Sequence, residues 1–256
     1  MRRTILWLAL ALLSAGGLFL FVTSQRSKAM APTAASKVVV LYYGDSLARE
    51  AQNYFVRAMA SRPEVKVVPA AFPGTAPCDW YGRMEQYNRQ YPGALVVGSF
   101  YGNLLTKCVL NTQRGGWQKT YLNQLDGALR RMNSASKIWL TLAPIAPASG
   151  QARQEQMSEN LRQLSIKYPK MNPIDAGASV EGPLGVFEMG LPCLPEEQCT
   201  NQPLIGQNQV RSFDRLHFCP GVHSNYYLGC SKYDSGAWRY GNALAQPVLA
   251  YLSNRK

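Results

Sequence analysis

The chain has 256 residues, of which 46% are hydrophobic and 16% are charged. This composition supports an apolar core and excludes an intrinsically disordered chain. The formal net charge is +12, but the basic residues are spread along the chain. The sequence therefore lacks the basic stripe of a DNA- or RNA-binding protein, and we expect no nucleic-acid partner. The positive charge does fit an anionic surface or polymer as a neighbour.

The N-terminal segment predicts attachment to a membrane. Arg2 and Arg3 precede an uncharged stretch with the apolar core Ile5–Val22, and a stretch of about 18 apolar residues can span a bilayer as a helix. Cations on the short N-terminal side place that end in the cytoplasm and the rest of the chain outside. We therefore expect residues 1–23 to form a signal anchor of a single-pass protein, with the domain on the extracytoplasmic side of the cell membrane.

The alternative is a cleaved signal peptide and a secreted protein. An Ala-x-Ala pattern occurs at Ala29–Ala31, but it follows the charged residues Arg26 and Lys28. The apolar stretch is also longer than the roughly 7–15 residues of most signal peptides. Residues 24–36 are predicted to be a flexible linker, so the folded domain is expected over 37–256.

Cysteines in an exported domain predict disulfide bonds. The short gaps favour Cys193–Cys199 and Cys219–Cys230, which leaves Cys78–Cys108, whereas other pairings and buried free thiols are the alternatives. The chain has no Cys-x-x-Cys pair and only two histidines. A zinc site is therefore not expected, and neither is another metal. The six cysteines are Cys78, Cys108, Cys193, Cys199, Cys219 and Cys230.

Strands and helices alternate along the predicted domain. Short apolar or β-branched runs indicate strands, and apolar residues at helical spacing indicate helices. Pro69 indicates that the second strand lies at an edge of the sheet. Residues 176–213, rich in Gly, Pro and Gln, are predicted to be a long loop. In chain order the predicted elements are strand Lys37–Tyr43, helix Ser46–Ser61, strand Val65–Ala70, helix Asp79–Tyr91, strand Ala94–Ser99, helix Trp117–Met132, strand Lys137–Leu142, helix Gln151–Tyr168, strand Met171–Asp175 and helix Gly236–Leu252, the last interrupted near Pro247.

This alternation predicts a three-layer α/β/α fold with a mainly parallel, five-stranded sheet. Ligands of such sheets bind at the carboxyl ends of the strands. Four short segments lie at such positions or near the C-terminus. They are Gly44-Asp45-Ser46-Leu47, Gly74, Gly102-Asn103 and Asp214-Arg215-Leu216-His217.

The residue types in these segments suit acyl chemistry. A serine at a strand-to-helix turn exposes its hydroxyl beside helix N–H groups, and an Asp three residues before a His can orient the imidazole. A glycine N–H or an asparagine amide can donate to an oxyanion. The alternatives are a helix cap at Asp45 or Ser46 and ordinary turns at the glycines and Asn103. The other histidine, His223, has no acid three residues before it.

In this order, the four segments resemble the SGNH, or GDSL, hydrolase superfamily. Longer strings at 73–80, 214–222 and 235–241 resemble exported bacterial SGNH domains linked to cell-envelope acylation. The resemblance covers roughly residues 37–253 and implies an SGNH-hydrolase-like fold without a cofactor. One departure is Leu104, since the third block often has Asp after the Asn.

The resemblance also implies roles for individual residues. Ser46 would be the nucleophile, His217 the general base and Asp214 its orienting partner. The N–H groups of Ser46 and Gly74 and the amide of Asn103 would form the oxyanion hole.

The implied function is that of a serine esterase or acyltransferase on acyl esters, above all O-acetyl esters, of cell-envelope glycans or glycolipids. The expected partners are an acylated carbohydrate or glycolipid substrate, the membrane and a membrane-bound acyltransferase. The alternative is a catalytically silent SGNH-fold protein that binds glycan or assists such an acyltransferase. The joint presence of Ser46, His217 and Asp214 favours the enzyme. Six aromatic residues near the loops would either stack on sugar rings or pack in the core: Trp80, Tyr81, Phe100, Tyr101, Trp238 and Tyr240.

Overall fold

The structure is a computed structural model that describes residues 38–103, 105–112, 115–147, 150–219, 230 and 234–255. The predicted anchor over residues 1–23, the linker over 24–36, Leu104 and His223 lie outside the described residues. Among the helices that the structure describes, none has the length and apolar character needed to cross a membrane.

Five parallel strands form a sheet with the order β2-β1-β3-β4-β5. Each predicted strand is confirmed to within one residue at either end. The edge position of β2 is also confirmed, and Pro69 lies there in register with Tyr42 of β1, where its missing N–H costs no ladder hydrogen bond on the open side. The strands are β1 (Val38–Gly44), β2 (Val65–Ala71), β3 (Leu95–Ser99), β4 (Lys137–Thr141) and β5 (Met171–Ile174).

Helices cover both faces of this sheet. Along β1, Val40 and Tyr42 belong to one buried apolar cluster, whereas Leu41 and Tyr43 belong to the other. This alternation is the two-residue period of a strand buried on both faces. The predicted three-layer α/β/α fold is therefore confirmed. The helices are α1 (Ser46–Met59), α2 (Tyr81–Gln90), α3 (Lys107–Thr112), α4 (Gly116–Arg131), α5 (Gly150–Lys167) and α6 (Ser235–Ser253).

Helix α6 corrects the prediction of an interruption near Pro247. The helix continues through this proline, although a proline removes one backbone hydrogen bond. Buried Leu244 and Val248 lie on either side of Pro247 in the cluster shared with α1. A Cβ at Gly241 would lie 2.7 Å from the carbonyl oxygen of Ala51, so this glycine permits a close approach of α6 to α1. Burial of this face outweighs the lost hydrogen bond.

The segment 176–213 is more ordered than the predicted loop. It contains an antiparallel pair of short strands, β6 (Gly190–Pro192) and β7 (Gln207–Gln209). A buried ion pair of 2.6 Å between Arg239 of α6 and Glu197 ties the segment to the core. Strands of three residues are too short for an alternating pattern, which explains why the sequence did not indicate them.

Three disulfide bonds join all six cysteines, and they are the favoured pairs. Cys78–Cys108 links the segment after β2 to helix α3, whereas Cys193–Cys199 lies between β6 and β7. Cys219–Cys230 closes a loop after His217. Two of the three bonds therefore lie near segments that were predicted to form the site.

Candidate active site

Ser46 is the first residue of α1, and one residue, Asp45, separates it from the carboxyl end of β1. The turn is tight because Gly44 passes against β3, where a Cβ would overlap the carbonyl oxygen of Ser99. Asp45 caps the helix, and its carboxylate accepts the N–H of Leu47 at 3.1 Å. The partly exposed hydroxyl of Ser46 thus lies at the N-terminus of α1, where backbone N–H groups favour negative charge.

His217 connects Ser46 to Asp214. Its Nε2 lies 2.8 Å from Ser46 Oγ, and its Nδ1 lies 2.6 Å from Asp214 Oδ2. Because an ionised carboxylate only accepts hydrogen bonds, Nδ1 carries the proton, and Nε2 accepts from the Ser46 hydroxyl. The structure therefore brings together the three residues to which the sequence assigned acyl chemistry.

Several donors keep Asp214 ionised. Burial alone would raise the pKa of this carboxyl, but hydrogen bonds from the Ser212 hydroxyl and from His217 hold it well below its usual range. The Ser212 hydroxyl donates to Asp214 Oδ1 at 2.5 Å, and the backbone N–H groups of Leu216 and His217 donate to the same oxygen. Asp214 thus offers a fixed negative charge to His217.

Glu50 holds the His217 segment against the serine helix, a role that the sequence analysis missed. It lies one turn after Ser46 and is fully buried. Its Oε2 accepts the backbone N–H of Phe218 at 2.6 Å and that of Cys219 at 3.3 Å. Burial raises the pKa of Glu50 to about 8. The sequence does contain a signal, since position 50 lies on the apolar face of α1, three residues after Leu47.

Asp45 stabilises the turn that carries Ser46 by accepting hydrogen bonds. Its Oδ2 accepts the backbone N–H of Tyr101 at 2.5 Å and lies 3.5 Å from Asn103 Nδ2. The carboxyl is fully buried, and burial raises its pKa to about 7. Asp45 therefore ties the serine turn to the loop after β3.

The two further residues assigned to the oxyanion hole lie in adjoining loops. Asn103 Nδ2 donates to the carbonyl oxygen of Thr75 at 2.8 Å, and Thr75 follows Gly74. Donation from the Asn103 amide to an oxyanion therefore requires that a substrate oxygen replaces one of its present partners, Thr75 or Asp45. The Cys78–Cys108 bond joins the segments that follow these two loops.

A cavity of about 480 Å³ adjoins Asp214. Of the six aromatic residues considered as sugar platforms, Tyr101 lines this cavity, whereas Phe100 and Tyr240 are buried in the core. The lining residues are Tyr101, Ala146, Pro147, Arg153, Asp214, Arg215 and Leu216.

Solved structures of acyl hydrolases share this fold. The lipase/acylhydrolase from Enterococcus faecalis is 16% identical with a TM-score of 0.55, and the match covers 84% of this chain and 96% of that one. A protein from Bacteroides fragilis assigned as an acylhydrolase is 16% identical with a TM-score of 0.50, and the match covers 84% of this chain and 88% of that one.

Axe2, an acetylxylan esterase from Geobacillus stearothermophilus, is 16% identical with a TM-score of 0.44, and the match covers 57% of this chain and 80% of that one. By sequence, no protein-family model and no curated protein matches the chain. The likeness to the two acylhydrolases confirms, at the level of the fold, the resemblance to SGNH hydrolases.

Proposed function

We propose that this protein is a serine esterase or O-acyltransferase that acts through Ser46, His217 and Asp214. The observation that carries the proposal is the unbroken chain of contacts from Asp214 to His217 to Ser46, at 2.6 and 2.8 Å. A serine hydroxyl is a weak nucleophile at neutral pH and needs an adjacent, oriented base, which this geometry supplies. The fold shared with acyl hydrolases supports the same reaction class.

The reaction proceeds in two halves. Ser46 Oγ attacks the carbonyl carbon of the ester while His217 Nε2 takes the hydroxyl proton, and Asp214 stabilises the resulting imidazolium. His217 then donates this proton to the leaving oxygen, which releases the alcohol and leaves an acyl-Ser46 ester. In the second half, water or a sugar hydroxyl attacks this ester and its proton returns through His217 to Ser46. Water yields the free acid, and a sugar hydroxyl yields a new ester.

The negative charge on the carbonyl oxygen develops beside the N-terminus of α1. The N–H groups of Ser46 and Gly74 and the Asn103 amide are the donors assigned to it. Removal of one such donor lowers turnover by about 10²–10³ in comparable enzymes. If the oxyanion replaces the longer contact of Asn103 with Asp45, the remaining bond to Thr75 keeps a fixed spacing between two of these donors.

O-acetyl esters of cell-envelope glycans or glycolipids are the proposed substrates. The predicted N-terminal anchor would place the domain outside the cytoplasm, and three disulfides fit an oxidising compartment. A membrane-bound acyltransferase is the proposed partner, because it would supply the acyl group for transfer at the membrane surface.

The test is hydrolysis of 4-nitrophenyl acetate by the purified protein. We expect turnover by the wild type and its loss in Ser46→Ala, whereas Ser165→Ala, at a half-buried position of α5, serves as the matched control. A fluorophosphonate probe should label Ser46. An inactive, unlabelled wild type would contradict the enzyme and leave the silent SGNH-fold protein. Addition of sugar acceptors then separates transfer from hydrolysis, since transfer yields an acetylated sugar.

A further inference from the structure

We propose that the cleft beside Asp214 recognises esters carried on an anionic sugar, with Arg153 and Arg215 as the residues that bind the negative group. This inference rests on the proposed function, because it concerns the substrate of Ser46. The negative group would be a substituent of the sugar, either a carboxylate or a phosphate.

The two arginines come from distant parts of the chain and line one cavity. Arg153 lies in the first turn of α5, and Arg215 lies between Asp214 and His217. Both line the cavity of about 480 Å³ that Asp214 also lines. Asp214 is joined to Ser46 through His217, so an ester at Ser46 whose carrier extends into this cavity would bring that carrier near both cations.

Neither arginine has an acidic partner in the part of the chain that the structure describes. The Arg153 guanidinium lies 5.1 Å from the ring centroid of Trp117 and 5.9 Å from that of Tyr101. The Arg215 guanidinium lies 5.1 Å from the ring centroid of Phe187. Aromatic faces hold a guanidinium in place without neutralising its charge.

Some other arginines have an acidic partner, although Arg57, Arg83 and Arg255 also lie over aromatic rings without one in the described residues. Arg130, Arg131, Arg162 and Arg239 each form an ion pair with a carboxylate. The carboxylate that lines the cavity, Asp214, is engaged by His217 and other donors. The positive charge at the cleft is therefore available to a ligand.

The backbone at Arg215 supports a role for its side chain. Its φ is +62°, in the left-handed region that residues other than Gly, Asn and Asp seldom adopt. Such strain persists where the surroundings impose it, and it occurs often at functional sites. The turn from Asp214 to His217 thus holds Arg215 at the mouth of the site, immediately beside the triad.

A smaller adjoining cavity of about 20 Å³ has room for a water-sized group only, so the sugar ring is placed in the larger cavity. The smaller cavity shares Tyr101 and Arg153 with the larger one and is also lined by Trp117. The Trp117 Nε1 atom is itself buried, so the indole lines this cavity with its ring and not with an accessible donor. A guanidinium pairs with carboxylate and phosphate oxygens through two parallel hydrogen bonds, which suits uronic acids and sugar phosphates alike.

The first test is binding, measured by calorimetry on the Ser46→Ala protein so that no turnover is needed. The probes are an oligogalacturonate, a neutral xylo-oligosaccharide of equal length and a sugar phosphate. We expect the anionic probes to bind at least about tenfold more tightly than the neutral one at low salt, and this margin should shrink as salt rises. Tighter binding of one anionic probe than of the other identifies carboxylate or phosphate as the source.

The second test is substitution in the same background. Arg153→Gln and Arg215→Gln should each reduce the margin by about three- to tenfold, and Arg215→Lys should restore part of it. The matched control is Arg162→Gln, because Arg162 lies nine residues after Arg153 on the opposite side of α5 and pairs with Glu159. Melting curves check that each variant is folded.

Two outcomes overturn the inference: equal binding of anionic and neutral probes, or a difference in affinity that both glutamine variants leave unchanged.

The third test compares kcat/KM for O-acetylated methyl glucuronoside and O-acetylated methyl glucoside. Turnover of both without preference contradicts only the anionic specificity. Absence of any turnover contradicts only the proposed function, since the calorimetric measurements still test whether the cleft prefers anionic sugars.

Discussion

Glu50 accepts a 2.6 Å hydrogen bond from the backbone N–H of Phe218, so the helix that begins at Ser46 also holds the chain directly after His217. Ser46 and His217 are 171 residues apart in sequence, yet their reacting atoms lie 2.8 Å apart. The single buried carboxyl group of Glu50 thus links the helix that carries the nucleophile to the segment that follows the base. We regard Glu50 as a positioning residue, since nothing places it against a substrate.

Glu50→Gln should lower kcat about tenfold and leave KM nearly unchanged. The amide oxygen can replace Oε2 and accept both N–H bonds, but the NH₂ group takes the place of Oε1, which is buried without a partner in the described residues, so the His217 segment loses its placement. Steady-state kinetics with 4-nitrophenyl acetate measures both constants. The control is Asn53→Ala at an exposed position of the same helix, and equal kcat in Glu50→Gln and wild type would contradict the positioning role.

The stability of the protein should fall as the pH rises from about 4.5 to 8. Burial raises the pKa of Glu50 to about 8 and the pKa values of Asp45 and Asp234 to about 7. The folded state therefore holds protons that the unfolded state has released, and this stabilisation is present below the unfolded pKa and lost as the pH passes the folded one.

Urea denaturation over this pH range measures the effect. In Glu50→Gln the free energy of unfolding should fall less steeply, and its decline should end near pH 7, where Asp45 and Asp234 ionise. The same slope in both proteins would show that Glu50 does not ionise in this range. Asp214 has the opposite effect at acid pH. Its pKa is lowered, so it adds stability that is lost as the pH falls below about 4.

Replacement of the two histidines should have unequal effects. His217→Ala removes the base that contacts Ser46, and we expect kcat to fall by about 10³–10⁴. Asp214→Asn should also reduce kcat strongly, because the amide favours the wrong tautomer. His223→Ala should retain turnover. The opposite result for the two histidines would move the base to His223 and remove the role of Asp214.

Loss of the Cys78–Cys108 bond should reduce catalytic rate in a protein that is still folded. The bond closes a loop with a sequence separation of 30 and adds about 3–4 kcal/mol to stability in the chain-entropy model. It also joins the segments that follow Gly74 and Asn103, so the Cys78→Ser, Cys108→Ser double variant should lose fixed oxyanion donors and therefore kcat.

The matched control for this variant is the Cys193→Ser, Cys199→Ser pair, which removes a bond between β6 and β7. Kinetics are compared at a temperature where circular dichroism shows both proteins folded. Unchanged kcat in the Cys78, Cys108 variant would leave the bond a structural role only.

Much of the fold could be predicted because its signals are local. Each central strand is a continuous apolar run, and such a run indicates burial on both faces of the sheet without knowledge of the elements that pack against it. The residues assigned to the triad could be found through the resemblance of four short segments to SGNH hydrolases, because the position of Ser46 near the carboxyl end of β1 leaves a helix cap as the alternative. The short gaps between four of the cysteines likewise favoured the pairs that the structure contains.

Other features depend on contacts between distant segments. Helix α6 continues through Pro247 because one of its faces is buried against α1. The residues next to Pro247 in the sequence do not reveal this stabilising contact. The apolar pattern of α1 places Glu50 on a buried face but does not reveal that Phe218 is its partner. Arg153 and Arg215 are ordinary surface cations in the sequence, and only the packing of α5 beside the triad loop puts them in one cleft. Periodicity determines which face of an element is buried, whereas tertiary packing decides what that face meets.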